Sequence, residues 1–335
     1  MNNIKRNYPL KKYNSLLMNH KAQYFCEVHS KEESYEFIDF SIRKKLPLKI
    51  LGSGTNVILT KDIDGAVLKV SIPGREINGE KVTIGAGENW HEIVLYTLKN
   101  GLFGLENLSL IPGTAGAAPV QNIGAYGEEI SSKLLSLEAI DLFTNEQITF
   151  ENKSCRFNYR ESQFKDNNNF LITSITLELN RQPITNTSYK SLNTYLLNDD
   201  IDPESATPNQ VCRAVSAIRE RILPDPSIRP NVGSFFKNLI VDKKGYKNLK
   251  NKLDELPAFL DPVNSSYKIP SAFLIEKAGW KGKKIGKVGV SKEHALVIIL
   301  EEGASSEEVI NFSSLIINDI SEKYGVTLEL EPIIF

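Results

Sequence analysis

Apolar residues recur every three or four positions through KEESYEFIDFSIRKK (31–45). This places Tyr35, Phe37, Ile38 and Ile42 on one side of a helix that Pro47 brings to an end. Two short apolar runs follow, LKIL (48–51) and VILT (57–60), which read as strands on either side of the pentapeptide GSGTN (52–56). From Gly65 to Gly87 short strands alternate with turns. Asn89, with Glu92 three residues on, has the form of a capping box; the helix it opens, Trp90 to Lys99, buries Trp90, Ile93, Val94 and Leu98 and stops at Asn100-Gly101. Strand patterns return over 134–180 in LLSLEAIDL, EQITF and FLITSITLEL. Residues 181–230 are polar and punctuated by proline, with Tyr189 and Tyr195 in a loop and one helix at 208–221. LPDPSIRP then marks a hinge, and a domain boundary falls near Arg221. The last third holds a helix from Ser305 to Tyr324, with Val309, Phe312, Ile316 and Ile320 inward and Gly325 at its left-handed stop. In the strand that follows, Val326, Leu328 and Leu330 form one face and Thr327, Glu329 and Glu331 the other, which reads as solvated.

At 335 residues the chain has length for two or three domains with a real core. Lys+Arg is 40 and Asp+Glu 41, so nothing in the charge balance points to a polyanion partner, and no basic stripe with interleaved aromatics appears for nucleic acid. No run reaches the 18 or so apolar residues of a membrane span, and the N-terminus does not have the form of a secretory signal. Cys26, Cys155 and Cys212 are scattered and odd in number, without metal spacing, and four histidines show no HxxxH. These features describe a metal-free cytoplasmic enzyme with reduced thiols.

The chemistry concentrates in GLENLSLIPGTAGAAPVQNIGAYGEEI (104–130), rich in glycine and alanine yet carrying Leu, Ile, Val and Tyr. Such a loop is folded and packed, and its small residues from Gly113 to Ala118 leave main-chain N–H groups uncovered, as a nest for phosphate or a flat ring requires. A tight loop that merely packs on a neighbour has the same composition. The GSGTN turn follows a strand, as a dinucleotide fold requires, but a second strand follows where that fold needs a helix. It can still offer N–H groups to phosphate, or be a plain hairpin turn. In CRFNYRES (155–162), Arg156, Tyr159, Arg160 and Glu161 crowd a short loop.

In family order, LGSGTN, AGENWHEIVLYTL, GLENLSLIPGTAGAAPVQNIGAYG, CRFNYRES, GSFFKN and the closing LELE run from about Leu16 to Glu331. With these motifs the chain resembles the UDP-N-acetylenolpyruvoylglucosamine reductase family, flavoenzymes of peptidoglycan precursor synthesis, in the long form whose extra loop (about 184–200) carries Tyr189. The resemblance implies an α+β protein: a two-subdomain FAD-binding fold of the vanillyl-alcohol-oxidase type (1–70 and 71–220) and a C-terminal α+β substrate domain (221–335). It implies non-covalent FAD held by Gly52, Ser53, Gly54, Thr55, Asn56, Gly113, Thr114, Gly116, Ala117, Gln121, Asn122, Gly124 and Ala125. NADPH would be the co-substrate, UDP-N-acetylglucosamine enolpyruvate the substrate, and the monomer the working form.

The reaction so implied reduces an enol ether conjugated to a carboxylate, which asks for a cation at the carboxylate and a positioned proton donor. By the resemblance, Arg160 is the catalytic arginine, Ser234 the proton donor and Glu331 the acidic partner that is protonated or shared with Arg160. Taken alone, Arg160 could equally pair with Glu161 or Asp166. Tyr126, Tyr189, Asn238, Lys281 and His294 match substrate contacts. Two positions depart from the family. Its lysine before LPDP is Ile222 here, with Arg219 and Arg221 nearby in sequence, and its asparagine after HALVII is Leu300. An alcohol or sugar oxidase on the same flavin fold, and a nucleotide-sugar binder without activity, are the competing readings.

Overall fold

The computed structural model describes residues 3–166, 169–261 and 264–335. It divides into two compact units: Met1–Pro9, Lys21–Gly54 and Asp62–Glu220 form the first, and Leu10–His20, Thr55–Lys61 and Arg221–Phe335 the second. The split at Glu220/Arg221 lies where the proline-rich segment begins, but two short N-terminal segments belong to the second unit, a crossing that no linear division of the chain expresses.

The first unit contains two larger sheets among the described residues. In one, Lys5–Pro9 pairs antiparallel with Lys21–Val28, and Lys21–Val28, Ile63–Val70 and Leu48–Leu51 run parallel. Parallel strands need a long crossover, and the helix Lys31–Arg43 supplies it between Val28 and Leu48. Ser30 caps that helix by accepting from the Glu33 N–H at 3.2 Å. Phe37 and Ile38 are fully buried against Cys26, Val28, Ala66 and Leu68. Ile42, expected on the same stripe, is 42% exposed. Ile42 lies in the last turn of the helix, which ends at Arg43, and Lys45 at φ 54° turns the chain before Pro47 is reached.

The other sheet is antiparallel throughout, in the order Gln147–Glu151, Leu134–Asp141, Phe170–Glu178, Lys81–Gly85, Arg75–Asn78. The helix Trp90–Lys99 packs into its core through Trp90, Ile93, Val94 and Leu98, and the Trp90 indole N–H donates to the Leu108 carbonyl at 2.9 Å. Asn89 caps it by accepting from the Glu92 N–H at 3.1 Å. Beyond the sheet, the segment expected to be a loop around Tyr189 and Tyr195 is in part a helix, Lys190–Asn198, with Tyr189 at its N-cap. Leu192 and Leu196, one turn apart and both buried, give that stretch a helical stripe that the surrounding prolines obscured.

The second unit is built from short antiparallel strands and the helix Ser306–Tyr324. Ser305 and Glu308 form a complete capping box, and Gly325 at φ 74° ends the helix. The expected strand VILT shrinks to Val57–Ile58, which runs parallel to Ile333–Ile334. That pairing draws residues 55–61 into this unit. Downstream of the helix, Leu330 makes a single bridge to Phe236 rather than a continuous strand from Val326.

No helix among the described residues is long and apolar enough to cross a membrane, and no group of three or more His, Cys, Asp or Glu could hold a metal there. All three cysteines are free and buried. Burial pushes the Cys26 thiol up to about 11 and Cys155 to about 12, and raises Cys212 as well. At pH 8 the thiolate of Cys26 is then about one part in a thousand, and only the thiolate is nucleophilic. The folded protein should therefore titrate with none of its thiols toward a disulfide reagent within minutes, and with all three once unfolded. Rapid reaction of one thiol in the folded state would contradict the burial seen here.

Candidate active site

The two glycine-rich loops meet in the first unit. An ideal Cβ on Gly52 would stand 3.1 Å from Thr114 Oγ1 and 3.4 Å from the Ala117 Cβ, so the loop after the first parallel sheet's edge strand lies directly on the long small-residue loop. Gly116 is tighter: a Cβ there would come within 2.5 Å of the Ala86 Cβ. Its N–H donates to the Ala86 carbonyl at 2.9 Å, and the Ala115 N–H donates to Glu88 at 2.8 Å. Ala117 and Ala118 donate to Thr114. The expectation that Gly113 to Ala118 leave their amides uncovered thus fails for four of the six residues. Small side chains here serve close approach of backbone to backbone. Open main-chain donors lie instead in the first loop, where the Ser53 and Gly54 N–H groups make no backbone hydrogen bond among the described residues, and Gly54 has φ 64°. Open N–H groups on a glycine turn held against a second loop of small residues fit a phosphate.

The remaining residues expected at the cofactor divide. Asn122 is buried at φ 44°, and its side chain is spent internally: Nδ2 donates to Glu129 Oε2 at 2.7 Å and to the Asn158 carbonyl at 3.1 Å, while Oδ1 accepts from the Ser131 N–H. Gly124 and Ala125 pair with Glu128 and Glu129. Gln121 is half-buried beside them. Thr55 and Asn56 belong to the second unit, where Asn56 Nδ2 donates to the Glu331 carbonyl at 3.3 Å and its own carbonyl accepts from the Ile333 N–H.

Tyr126 and Gly127, at φ 48° and 87°, form the two-residue turn of the Gly124–Glu129 hairpin. Two positive φ values are what a type I′ turn requires; for a tyrosine that conformation is strained. Asn107 holds it, donating to the Tyr126 carbonyl at 2.9 Å and to the Asn186 carbonyl at 2.7 Å. Asn186 in turn donates to Glu128 Oε1 at 2.8 Å. The tyrosine segment is thereby tied to the hairpin, and the Tyr189 ring lies edge-on to Tyr126 with centroids 5.4 Å apart. Asn107 was not singled out by the sequence, because ENL reads as the interior of a turn.

Arg160, itself at φ 54°, has a side chain only 17% exposed. Nη2 donates to the Gly124 carbonyl, Nη1 to the Asn122 carbonyl at 3.4 Å, and Glu129 Oε1 is 3.9 Å away. Of the two alternative partners expected for Arg160, Glu161 and Asp166, the side chain of Asp166 lies outside the described residues. In the second unit, Gly233 at φ 72° leads into Ser234, which bridges Val297. The Phe235 N–H donates to the Leu296 carbonyl and the Phe235 carbonyl accepts from the Glu331 N–H at 3.0 Å, so Ser234 and Glu331 stand on adjoining segments. Glu331 is half-buried, whereas Thr327 and Glu329 on the expected solvated face are exposed.

Asn238 Oδ1 accepts from the Ser271 N–H at the start of a helix. Lys281 pairs with Glu276 at 3.1 Å. His294 Nδ1 accepts from the Leu296 N–H at 3.2 Å, a local turn contact. Leu300 is buried and Ile222 half-buried.

The two sheets whose small-residue loops touch lie largely within the match to an FAD binding domain, which places the chain among FAD-binding proteins. An FAD binding domain profile matches residues 22–148, and the profile described as UDP-N-acetylenolpyruvoylglucosamine reductase, C-terminal domain, matches residues 225–335. The chain is 41% identical to the UDP-N-acetylenolpyruvoylglucosamine reductase of Flavobacterium johnsoniae, covering 98% of each, and 39% identical to that of Bdellovibrio bacteriovorus, covering 98% of this chain and 99% of the relative. Among solved structures, the reductase from Thermus caldophilus superposes with a TM-score of 0.70 at 20% identity, over 99% of this chain and 98% of that one. 6-Hydroxy-D-nicotine oxidase from Arthrobacter nicotinovorans shares the fold, with a TM-score of 0.51 at 12% identity over 92% and 82% of the two chains. The chain belongs to the UDP-N-acetylenolpyruvoylglucosamine reductase family.

Replacing Gly116 by valine would force a branched side chain into the Ala86 backbone. Overpacking of this kind costs about 1–3 kcal/mol. The purified variant should carry less than half the wild-type flavin per chain, read from its absorbance ratio; full flavin content would show that the Gly116–Ala86 approach does not shape the cradle.

Proposed function

We propose that the protein reduces UDP-N-acetylglucosamine enolpyruvate to UDP-N-acetylmuramate, with NADPH as the source of electrons and FAD bound without a covalent link. The observation that carries this reading is the match to relatives of that activity at about 40% identity along the whole chain. Bound FAD would supply the hydride that passes from NADPH to the substrate's methylene carbon. Gly52, Ser53 and Gly54 and the Thr114–Ala117 turn would hold it, by main-chain donors and by the absence of side chains.

The protein's own groups then have three tasks. As hydride adds, negative charge spreads onto the enolpyruvyl carboxylate, and a guanidinium held by two backbone carbonyls is a pre-oriented partner for it; that role falls to Arg160. The neighbouring carbon needs a proton. The Ser234 hydroxyl makes no hydrogen bond among the described residues and is half-buried, so its proton is not committed elsewhere. Although a serine is a weak acid in water, it need only be more acidic than the carbon it protonates, and placement governs the rate. Glu331 would share charge with the enolic intermediate, and its half-buried carboxyl suits that better than a solvated one. Tyr189, with Asn238 and Lys281, would meet the diphosphate and uridine, and Tyr126 the sugar.

Stopped-flow absorbance of the two half-reactions tests this. Ser234→Ala should leave reduction by NADPH intact and slow reoxidation by the enolpyruvyl sugar about 10²-fold or more. Reoxidation at the wild-type rate would remove Ser234 as donor. Tyr189→Phe should raise the substrate KM with kcat little changed, as expected of a hydroxyl that binds ground and transition states alike. If KM does not move, Tyr189 makes no such contact.

A further inference from the structure

The entry to the helix Trp90–Lys99 is fastened at several points to the small-residue loop. The Trp90 indole donates to the Leu108 carbonyl at 2.9 Å, and the Trp90 main-chain N–H to the Gly113 carbonyl at 3.1 Å. The Ala115 N–H donates to the Glu88 carbonyl at 2.8 Å. His91 adds a further tie, its Nδ1 accepting from the Leu110 N–H at 3.0 Å. The first three join amides and an indole, whose hydrogen-bonding roles do not change near neutral pH. The His91 tie depends on a proton, because an imidazole nitrogen accepts only while it is unprotonated.

Leu110 is the residue on which this tie acts. Its φ of 56° lies in the left-handed region, where a leucine is strained. Bonds on both sides hold it there: its N–H to His91, and its carbonyl accepting from Arg219 Nε at 3.3 Å. From Leu110 the chain runs through Ile111, Pro112 and Gly113 into the Thr114–Ala117 turn that faces Gly52. The surroundings keep the accepting nitrogen free of a proton. His91 sits in the first turn of its helix, where the helix dipole opposes positive charge. Burial lowers its pKa most and Arg219 lowers it further, against Glu92 and Glu220, which raise it. With Nδ1 accepting, the ring proton is on Nε2, which makes no hydrogen bond among the described residues.

We propose that His91 is a positioning residue of the flavin loop: its neutral Nδ1 holds Leu110 in the turn that presents Thr114–Ala117 to FAD, and protonation of that nitrogen releases the turn and weakens FAD binding. The proposal rests on the placement of FAD given above and adds a residue that acts through the loop. Because the pKa of His91 is lowered in the folded chain, the tie is intact at pH values above the ordinary histidine range. As pH falls through that range toward the lower folded value, protons bind preferentially where the loop has let go of His91. The state that holds FAD is progressively disfavoured.

Purified holoprotein, diluted and ultrafiltered at about pH 5.5 and about pH 7.5, gives the FAD Kd from the flavin in the filtrate. Wild type should bind FAD about 5- to 10-fold more weakly at the lower pH. His91→Asn puts an amide oxygen where Nδ1 stands, an acceptor that takes up no proton in this range. It should match wild type at the higher pH and lose the pH dependence. His91→Leu offers no acceptor and should bind FAD about 10-fold more weakly than wild type at the higher pH. An asparagine variant that keeps the wild-type pH dependence overturns the proposal, whether or not the leucine variant folds. So does a leucine variant that binds as tightly as wild type at the higher pH. Equal weakening of both variants at both pH values shows a structural prop and overturns it as well. Full flavin content in Gly116→Val defeats the placement of FAD on this loop instead; a flavin-poor Gly116→Val beside a wild type of pH-independent affinity defeats His91 alone.

Discussion

The approach of Gly116 to Ala86 is the constraint on which the flavin unit depends. A Cβ on Gly116 would sit 2.5 Å from that of Ala86, and the Gly116 N–H closes on the Ala86 carbonyl. Once that contact is made, Thr114 and Ala117 are presented to Gly52 at van der Waals distance, and loops more than 50 residues apart in sequence share one surface. The Gly124–Glu129 hairpin continues from there, and with it come Tyr126, Arg160 and the tyrosine segment. Close packing tolerates little change in such a chain of contacts. This is why the loop is apolar and small while most loops are polar and variable.

Much of the fold was legible in sequence because its signals were local. Ser30, Asn89 and Ser305 cap helices through bonds to residues three positions on, and the apolar stripes of those helices face the cores as their spacing requires. Motif order along the whole chain gave the family. What stayed hidden was set by partners distant in sequence. Val57–Ile58 is short because its partner is Ile333–Ile334, and Glu331 leaves the solvated face because Phe235 and Asn56 hold its backbone. The small-residue loop could be recognised, but its amides were credited to a ligand when Ala86, Glu88 and Thr114 take most of them. Asn107 carries no local signature at all, because it acts through the carbonyls of Tyr126 and Asn186.

The polar groups follow a consistent division of labour. Asn122, Asn107 and Asn186 spend their amides on backbone and carboxylate partners and so fix geometry. Asparagine does this without bringing charge into the interior. Arg160 is oriented by the Asn122 and Gly124 carbonyls, with Glu129 at the outer limit of an ion pair. Ser234 stands in a backbone bridge with its hydroxyl uncommitted. The frame of the Gly124–Glu129 hairpin is thus fixed by amide side chains bonded to backbone carbonyls and to the Glu128 and Glu129 carboxylates.

Peptide continuity between Gly54 and Thr55 joins the glycine turn to the segment that pairs with Ile333 and Ile334 and that binds the Glu331 carbonyl through Asn56. Residues 55–58 thus take their conformation from the last residues of the chain, nearly the full sequence length away, a pairing that no motif in either segment encodes.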